Sequence, residues 1–363
     1  MAHNFLQEKL FVLISHLTHI IKMKNKNSTS ETEETEVLER EISQSNKDPD
    51  LMKAVRIHHF GGSDKLIYEL APIPKIAPDE ILIKVYAAGV NPIDWKIREG
   101  HLKYNMSQGL PLIPGWDVAG TVAATGILIN RFKEGDKVFA KTDIMRNGSY
   151  AEYVTVKTND VAFAPNIDLH TAAGVPLAAQ TAWMGLFEVG KLKTNQKILI
   201  HGASGGVGTF AVQLARVVGA RVTATTSEAN IELIKSLGAD EVIDYQKEDF
   251  SERVKNQDMV FDTIGGDTQD RSWKVLRRGG ILVSTLTVDE NAAAKHGVTG
   301  KTFFGNSNGA RLQEIAGLID KHQLRVIIDR EFSLKEVSKA HDLSQSGKTV
   351  GKIILRVFDQ KNN

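Results

Sequence analysis

Between Lys197 and Gly208 the chain reads K-I-L-I-H-G-A-S-G-G-V-G, a short apolar strand running straight into a glycine turn, and Thr209 to Val218 continue it at helical spacing. Ile198 to Ile200 have the character of a buried strand, while Phe210, Ala211, Leu214, Val217 and Val218 give the following segment one apolar face. Strand, turn and helix in that order form a phosphate-binding unit. Glycines let the backbone approach the anion, and the unpaired amides and positive dipole end of the helix face it. Gly205 and Gly208 fill the second and third glycine places and Ala203 stands in the first. Ala203, Ser204, Gly205, Gly206, Val207 and Gly208 are therefore the candidate contacts to a dinucleotide pyrophosphate. The competing reading is a turn that needs glycine only for positive φ or close packing.

The dinucleotide's identity is read about twenty residues farther on, where an acid ending the second strand would bond the ribose 2′-hydroxyl of NAD. Here that strand is Arg221 to Thr226 and it ends in Ser227, so no carboxylate stands there to repel a 2′-phosphate. The pattern favours NADPH, which also requires a cationic partner for that phosphate. Lys235 and Lys348 are candidates, and Lys235 reads equally well as a solvated helix lysine.

Composition narrows the class. The chain has 363 residues, 42% hydrophobic and 25% charged, with a formal net charge of +1. This is globular material of about two domains, with no electrostatic case for a nucleic-acid partner. Cysteine is absent, which removes disulfides, thiol nucleophiles and thiolate metal sites together. The segment from Phe11 to Ile21 is too short for a membrane span and lacks the flanks of a cleaved signal peptide, so no integral membrane span is expected. Residues Lys22 to Asp50 are dominated by Glu, Ser, Asn, Lys and Thr, and residues 1–50 are expected to be a disordered or loosely structured extension. The cytoplasm is the expected compartment, with an amphipathic docking helix or an organelle address as alternative readings of the first twenty residues.

From Met52 to about residue 165 the signals are β-rich and punctuated by Pro and Gly: Glu80 to Val85, Gly120 to Ala124, Lys137 to Ala140 and Tyr150 to Val156 read as strands. From Gly174 to Phe303 strands alternate with helices, at Ile198 to Ile200, Arg221 to Thr226, Glu241 to Ile243, Met259 to Asp262 and Ile281 to Thr285. Such alternation predicts a doubly wound parallel sheet. The remainder, with helices at Gln313 to Lys321 and Leu334 to Gln345 and strands at Arg325 to Ile328 and Val350 to Val357, is expected to rejoin the first module. The predicted division is 51–173 with 304–363 as a β-rich catalytic domain, and 174–303 as an α/β cofactor domain.

The stretches A-G-V-N-P-I-D-W at 88–95, I-P-G-W-D-V-A-G at 113–120, Q-T-A-W at 180–183, L-G-A-D at 237–240, F-D-T-I-G-G at 261–266 and G-K-T-V-G-K at 347–352, together with the glycine turn, resemble the medium-chain dehydrogenase/reductase superfamily. Within it, the chain resembles the zinc-free quinone oxidoreductase group of NADPH-dependent enone and quinone reductases. The resemblance spans Met52 to Val357. It implies an α/β fold in which a Rossmann doubly wound parallel sheet is joined to a GroES-like β-rich catalytic domain. It also implies reduction of a quinone or of the activated C=C of an α,β-unsaturated carbonyl, by a homodimer. Zinc-dependent relatives carry Cys and His where this chain has Asn91 and Trp116, so alcohol oxidation on a metal is not expected. The resemblance places Ser227 and Tyr245 at the 2′-phosphate, Lys348 near the cofactor and Thr181 at the nicotinamide end. The basic residue the group often has three positions after Ser227 is Asn230 here. Thr181 also reads as a helix N-cap before Ala182.

Hydride addition to an enone leaves negative charge on the carbonyl oxygen, so donors must be aimed at it. Asn91, Lys96 and Tyr104 lie in the segment where the resemblance puts the substrate, and all three can donate. Asn91 also reads as the closing residue of an Asn-Pro turn, and Lys96 and Tyr104 as solvated or packing residues. His58-His59 reads as a surface pair, His101 and His201 as loop and strand-end residues. A rival function is a non-catalytic NADPH-binding redox sensor or partner-binding protein on the same scaffold.

Overall fold

The computed structural model describes residues 50–101 and 109–358, so the expectations for residues 1–49 and for Tyr104 lie outside the described residues. Leu51–Arg56 (β1) and Ile67–Pro72 (β2) pair antiparallel, and Glu80–Val90 (β3), Asp117–Thr125 (β4), Lys137–Lys141 (β5), Tyr153–Lys157 (β6) and Val161–Phe163 (β7) build the antiparallel part of a larger sheet. Lys197–Ile200 (β8), Arg221–Thr226 (β9), Glu241–Asp244 (β10), Gln257–Asp262 (β11), Leu276–Ser284 (β12) and Thr299–Thr302 (β13) are all parallel. Ile328–Ser333 (β14) and Lys352–Arg356 (β15) return to the first sheet, whose order is β14-β15-β3-β4-β5-β7 with β6 also on β3.

The parallel sheet has the order β10-β9-β8-β11-β12-β13. Counting from β8 this is 3-2-1-4-5-6, so the winding reverses between β8 and β11, and a crevice opens at their carboxyl ends. The glycine turn follows β8 directly. A buried apolar cluster joins the two sheets, running from Ala87, Ala119 and Phe139 through Ala178, Ala179 and Ala182 of the helix Pro176–Trp183 to Ile198, Phe210 and Leu214. The module that faces the crevice is thus fixed to the sheet that forms it.

Several boundaries differ from the sequence expectations, three of them with a structural reason or consequence. The helix after the glycine turn spans Gly206–Val217 and begins inside the glycines rather than at Thr209. The helix expected from Gln313 begins at Gly309, capped by the side chain of Asn308 on the Arg311 amide. The strand expected at Arg325 to Ile328 is displaced to Ile328–Ser333, because the Gln213 side chain takes both the amide (2.7 Å) and the carbonyl (3.0 Å) of Arg325.

Candidate active site

The turn between β8 and its helix is shaped by what a side chain would strike. A Cβ on Gly208 would run into the Gly202 carbonyl oxygen and lie 2.7 Å from Ala203 Cα, so helix and turn pack backbone to backbone. Gly202 has φ +66 and would meet Thr263 Oγ1, from the turn after β11. Gly205 is different: its backbone is ordinary extended chain (φ −74, ψ 172), and its Cβ would meet only Gly202 O, at 3.4 Å. It is also the helix N-cap and has no side chain to satisfy the amides beyond it. The first-turn N–H groups of Gly206, Val207 and Gly208 have no intrahelical acceptor, the arrangement by which a helix N-terminus can hold an anion. The turn is also tied to the β-rich module, where Gly351 N donates to Ser204 O at 2.8 Å.

The end of β9 lies beside this turn, with Ala203 N on Thr225 O at 3.3 Å. Ser227 caps a short 3-10 turn, Glu228–Asn230, and its hydroxyl accepts from Asn230 Nδ2 at 3.1 Å. Tyr245 N donates to Thr226 O at 3.2 Å and its side chain is exposed, so the turn carrying Tyr245 follows β9 closely at Thr226 and Ser227. Lys235 does not join them, its ammonium being held by Glu232 at 3.0 Å on the exposed side of the helix Ile231–Ser236. The Lys348 amide donates to Ser346 Oγ at 3.3 Å, in the turn leading to Gly351.

Asn91 is the N-cap of the helix Pro92–Arg98, in a capping box with Asp94, and Pro92 opens the helix. Its amide Nδ2 donates to Asp117 Oδ2 at 2.8 Å and its Oδ1 accepts from Lys352 Nζ, which also reaches Val90 O at 3.0 Å and Asp117 Oδ2 at 3.2 Å. Asp117 Oδ1 accepts from Leu177 N at 2.6 Å. Asn91 (2% exposed), Asp117 (0%) and Lys352 (3%) are shut away from water, and the Lys352 stem passes 2.9 Å from where a Gly206 Cβ would stand. This ion pair is the floor of the glycine turn.

A second chain of bonds leads outward from the same box. Tyr150 OH donates to Asp94 Oδ2 at 2.5 Å, His341 Nε2 lies 3.3 Å from Tyr150 OH, and Arg98 Nη1 lies 3.2 Å from His341 Nδ1. Burial pushes the Asp94 carboxyl up to about 7, although the Tyr150 hydroxyl and the Asn91 amide pull it down. Burial, with the Arg98 charge beside it, holds His341 down to about 3, and burial holds His201 down to about 4. His201 bridges Thr225 Oγ1 (2.9 Å) and Ser272 Oγ (3.0 Å), a strand-end residue as expected.

These shifts act on stability in opposite directions. The contribution of Asp94 is complete below its ordinary value of 3.8 and is lost as pH rises through about 7. Those of the two histidines are complete above 6.5 and are lost as pH falls through that value toward 4 and 3. His341→Asn should therefore flatten the acid side of the stability curve by about 1.4 kcal/mol per pH unit for the one proton removed. Urea midpoints taken at pH steps from 6.5 down to about 4.5 measure this, and an unchanged slope would contradict it.

Thr181 is inside the helix Pro176–Trp183 and not at its N-cap; its hydroxyl donates back to Leu177 O at 2.7 Å and retains lone pairs for an external donor. A Cβ on Gly305 would lie 3.4 Å from that hydroxyl, so the segment leaving β13 passes over it. The Lys96 ammonium sits 5.6 Å over the Trp95 ring. A residue that pattern reading did not single out is Lys141, at the end of β5. It is 6% exposed, its ammonium donates to Ser307 Oγ at 3.3 Å, and burial lowers its pKa against the pull of Asp117, Asp160 and Asp143. The signal for it was faint: a lysine closing an otherwise apolar strand, V-F-A-K.

Comparison with known proteins decides the family. Residues 77–166 match the alcohol dehydrogenase GroES-like domain and residues 237–355 the zinc-binding dehydrogenase domain. The chain is 37% identical over 328 residues to a 2-methylene-furan-3-one reductase of Solanum lycopersicum, covering 87% of this chain and 81% of the relative. It is 37% identical over 321 residues to a chloroplastic NADPH-dependent alkenal/one oxidoreductase of Arabidopsis thaliana, covering 85% and 80%. A quinone oxidoreductase structure from Coxiella burnetii superposes with a TM-score of 0.81 at 32% identity, covering 85% of this chain and all of that one. The chain belongs to the medium-chain dehydrogenase/reductase superfamily. Within the superfamily it sits with the quinone and alkenal oxidoreductases. One of its matching domains is named for zinc, so the donor set bears directly on that metal. Asn91 carries its amide between Asp117 and Lys352, and Trp116 is fully buried with an indole N–H that cannot ligate a cation. Lys352 already supplies the positive charge that Asp117 needs. These residues do not fit a zinc ion.

Proposed function

We propose that the chain is a reductase that takes hydride from NADPH to a quinone or to the activated C=C of an α,β-unsaturated carbonyl, without zinc. The single observation that carries this reading is the uncapped, Cβ-free turn at Gly205–Gly208, set at the switch point of the parallel sheet and floored by a buried Lys352–Asp117 pair. When bound there, NADPH supplies the hydride. The residues around it do the rest. The amides of Gly206 to Gly208 hold the diphosphate, and the Thr181 hydroxyl accepts from the carboxamide end of the nicotinamide. Asn91, whose polar atoms are engaged with Asp117 and Lys352, positions β3 and the glycine turn relative to each other. Lys96 and Lys141 provide ammonium donors on the β-rich side for the oxygen that becomes negative, and the shielded setting of Lys141 strengthens its bond to that charge.

The edge strand β13 leaves one side of the parallel sheet open for a second copy, which supports the homodimer reading. The Arabidopsis relative is named as chloroplastic, which sets an organelle address in residues 1–49 beside the cytoplasmic reading. Fluorescent fusions with and without these residues tell the two apart.

The test is NADPH oxidation by the purified full chain against a panel of para-quinones, alkenals and cyclic enones, before and after exhaustive chelation. Turnover with at least one class, unchanged by the chelator, is the expected result. Loss of turnover that zinc restores would refute the metal-free mechanism, and NADPH binding with no turnover across the panel would favour the sensor reading.

A further inference from the structure

The 2′-phosphate of NADPH needs a cation, and neither place at which the sequence looked for one on the β9 side provides it. Position 230 holds an asparagine bonded to Ser227, and Lys235 is turned to Glu232. The space beside Ser227 is nevertheless charged. Glu228 stands next to it, and Lys247 reaches back from the turn after β10 to lie 2.5 Å from Glu228 Oε1. That turn is well fixed. Tyr245 N on Thr226 O (3.2 Å) extends the β9–β10 pairing by one residue, and the Lys247 and Glu248 amides both donate to Asp244 O, at 3.1 and 3.0 Å. Arg253, at the end of the helix Phe250–Arg253 that follows the turn, is held by Glu248 and Glu241.

We propose that Lys247 is the residue that receives the 2′-phosphate and so sets the preference for NADPH over NADH. The assignment rests on the NADPH reading above. A lone carboxylate at Glu228 would repel a phosphate dianion; Lys247 cancels it and leaves donors to spare, because its ammonium carries three N–H groups and Glu228 Oε1 is the one acceptor within 4 Å among the described charged groups. Both side chains are exposed, 59% for Lys247 and 67% for Glu228, so the lysine is free to be shared between carboxylate and phosphate without a change of fold. Ser227, Asn230 and Tyr245 then supply neutral hydrogen bonds around a charge that comes from the neighbouring strand.

Binding of 2′,5′-ADP and of 5′-AMP, measured by calorimetry, tests this without nicotinamide or turnover. The wild-type chain should bind 2′,5′-ADP at least about tenfold more tightly than 5′-AMP. Lys247→Gln should weaken 2′,5′-ADP by roughly tenfold, leave 5′-AMP within about twofold, and recover most of the loss when Asn230→Lys is added. If Lys247→Gln leaves 2′,5′-ADP unchanged, or weakens both ligands equally, the assignment is wrong while the NADPH reading stands. If the wild-type chain itself shows no preference for 2′,5′-ADP, the NADPH reading fails and the assignment with it.

Discussion

Gly205→Ala is expected to leave the protein folded and to weaken NADPH binding about a hundredfold, which corresponds to roughly 2.7 kcal/mol. The fold tolerates the change because residue 205 has φ −74 and ψ 172, and its Cβ would meet only one atom within 4 Å, Gly202 O at 3.4 Å. Alanine at an N-cap costs about 1 kcal/mol, small against the stability of a chain this size. Binding suffers because the added methyl occupies the open side of the turn, where a phosphate oxygen would approach the amides of residues 206 to 208. Gly208→Ala is the contrasting variant: its methyl would strike Gly202 O and Ala203, so it should destabilise the chain itself. Thermal unfolding paired with NADPH titration separates the two. Undiminished NADPH affinity in Gly205→Ala would mean that the turn packs the sheet and does not bind phosphate.

Lys352→Met should cost about 3–5 kcal/mol of stability, because it strands the Asp117 carboxylate in the interior. Asp117 is fully buried, and without Lys352 its Oδ2 would keep only the Asn91 amide while its Oδ1 keeps the Leu177 N–H. The same change would release Val90 O and Asn91 Oδ1 beneath the glycine turn, so NADPH affinity should fall as well. The double variant Asp117→Asn with Lys352→Met should be less costly than the sum of the single changes, since it removes both charges together. Urea midpoints of the four proteins in this cycle give the coupling. Additive losses would show that the pair is not a unit.

Much of this was legible in the chain because the relevant signals are local. The glycine turn and its flanking strand and helix occupy consecutive residues, and the alternation of elements that follows dictates a parallel sheet wound on both faces. Ala203 to Gly208 form the turn that the pattern describes, and at the end of β9 the side chains of Ser227 and Asn230 meet while the Tyr245 backbone joins Thr226. The role of Asn91 was written in N-P-I-D, an N-cap followed by proline and by an acid three residues on, but that motif competes with a simple Asn-Pro turn and with the appeal of a free amide donor. Long-range charge pairing was not legible. Lys352 and Asp117 are 235 residues apart, and nothing in either neighbourhood announces the other. Lys247 depends on the register of β10 against β9, which places its turn beside Ser227. The displacement of β14 has the same origin, a single glutamine on a distant helix that claims the Arg325 backbone.

NADPH held at the glycine turn should deliver its hydride to the substrate without a metal. The most direct measurement is a single turnover of the chelator-treated chain with NADPH deuterated at the transferable ring position and a cyclic enone, followed by mass analysis of the product. One deuterium at the β-carbon, in amount equal to the cofactor oxidised, is the expected result. Product without label, or bound NADPH that is never oxidised, would contradict it.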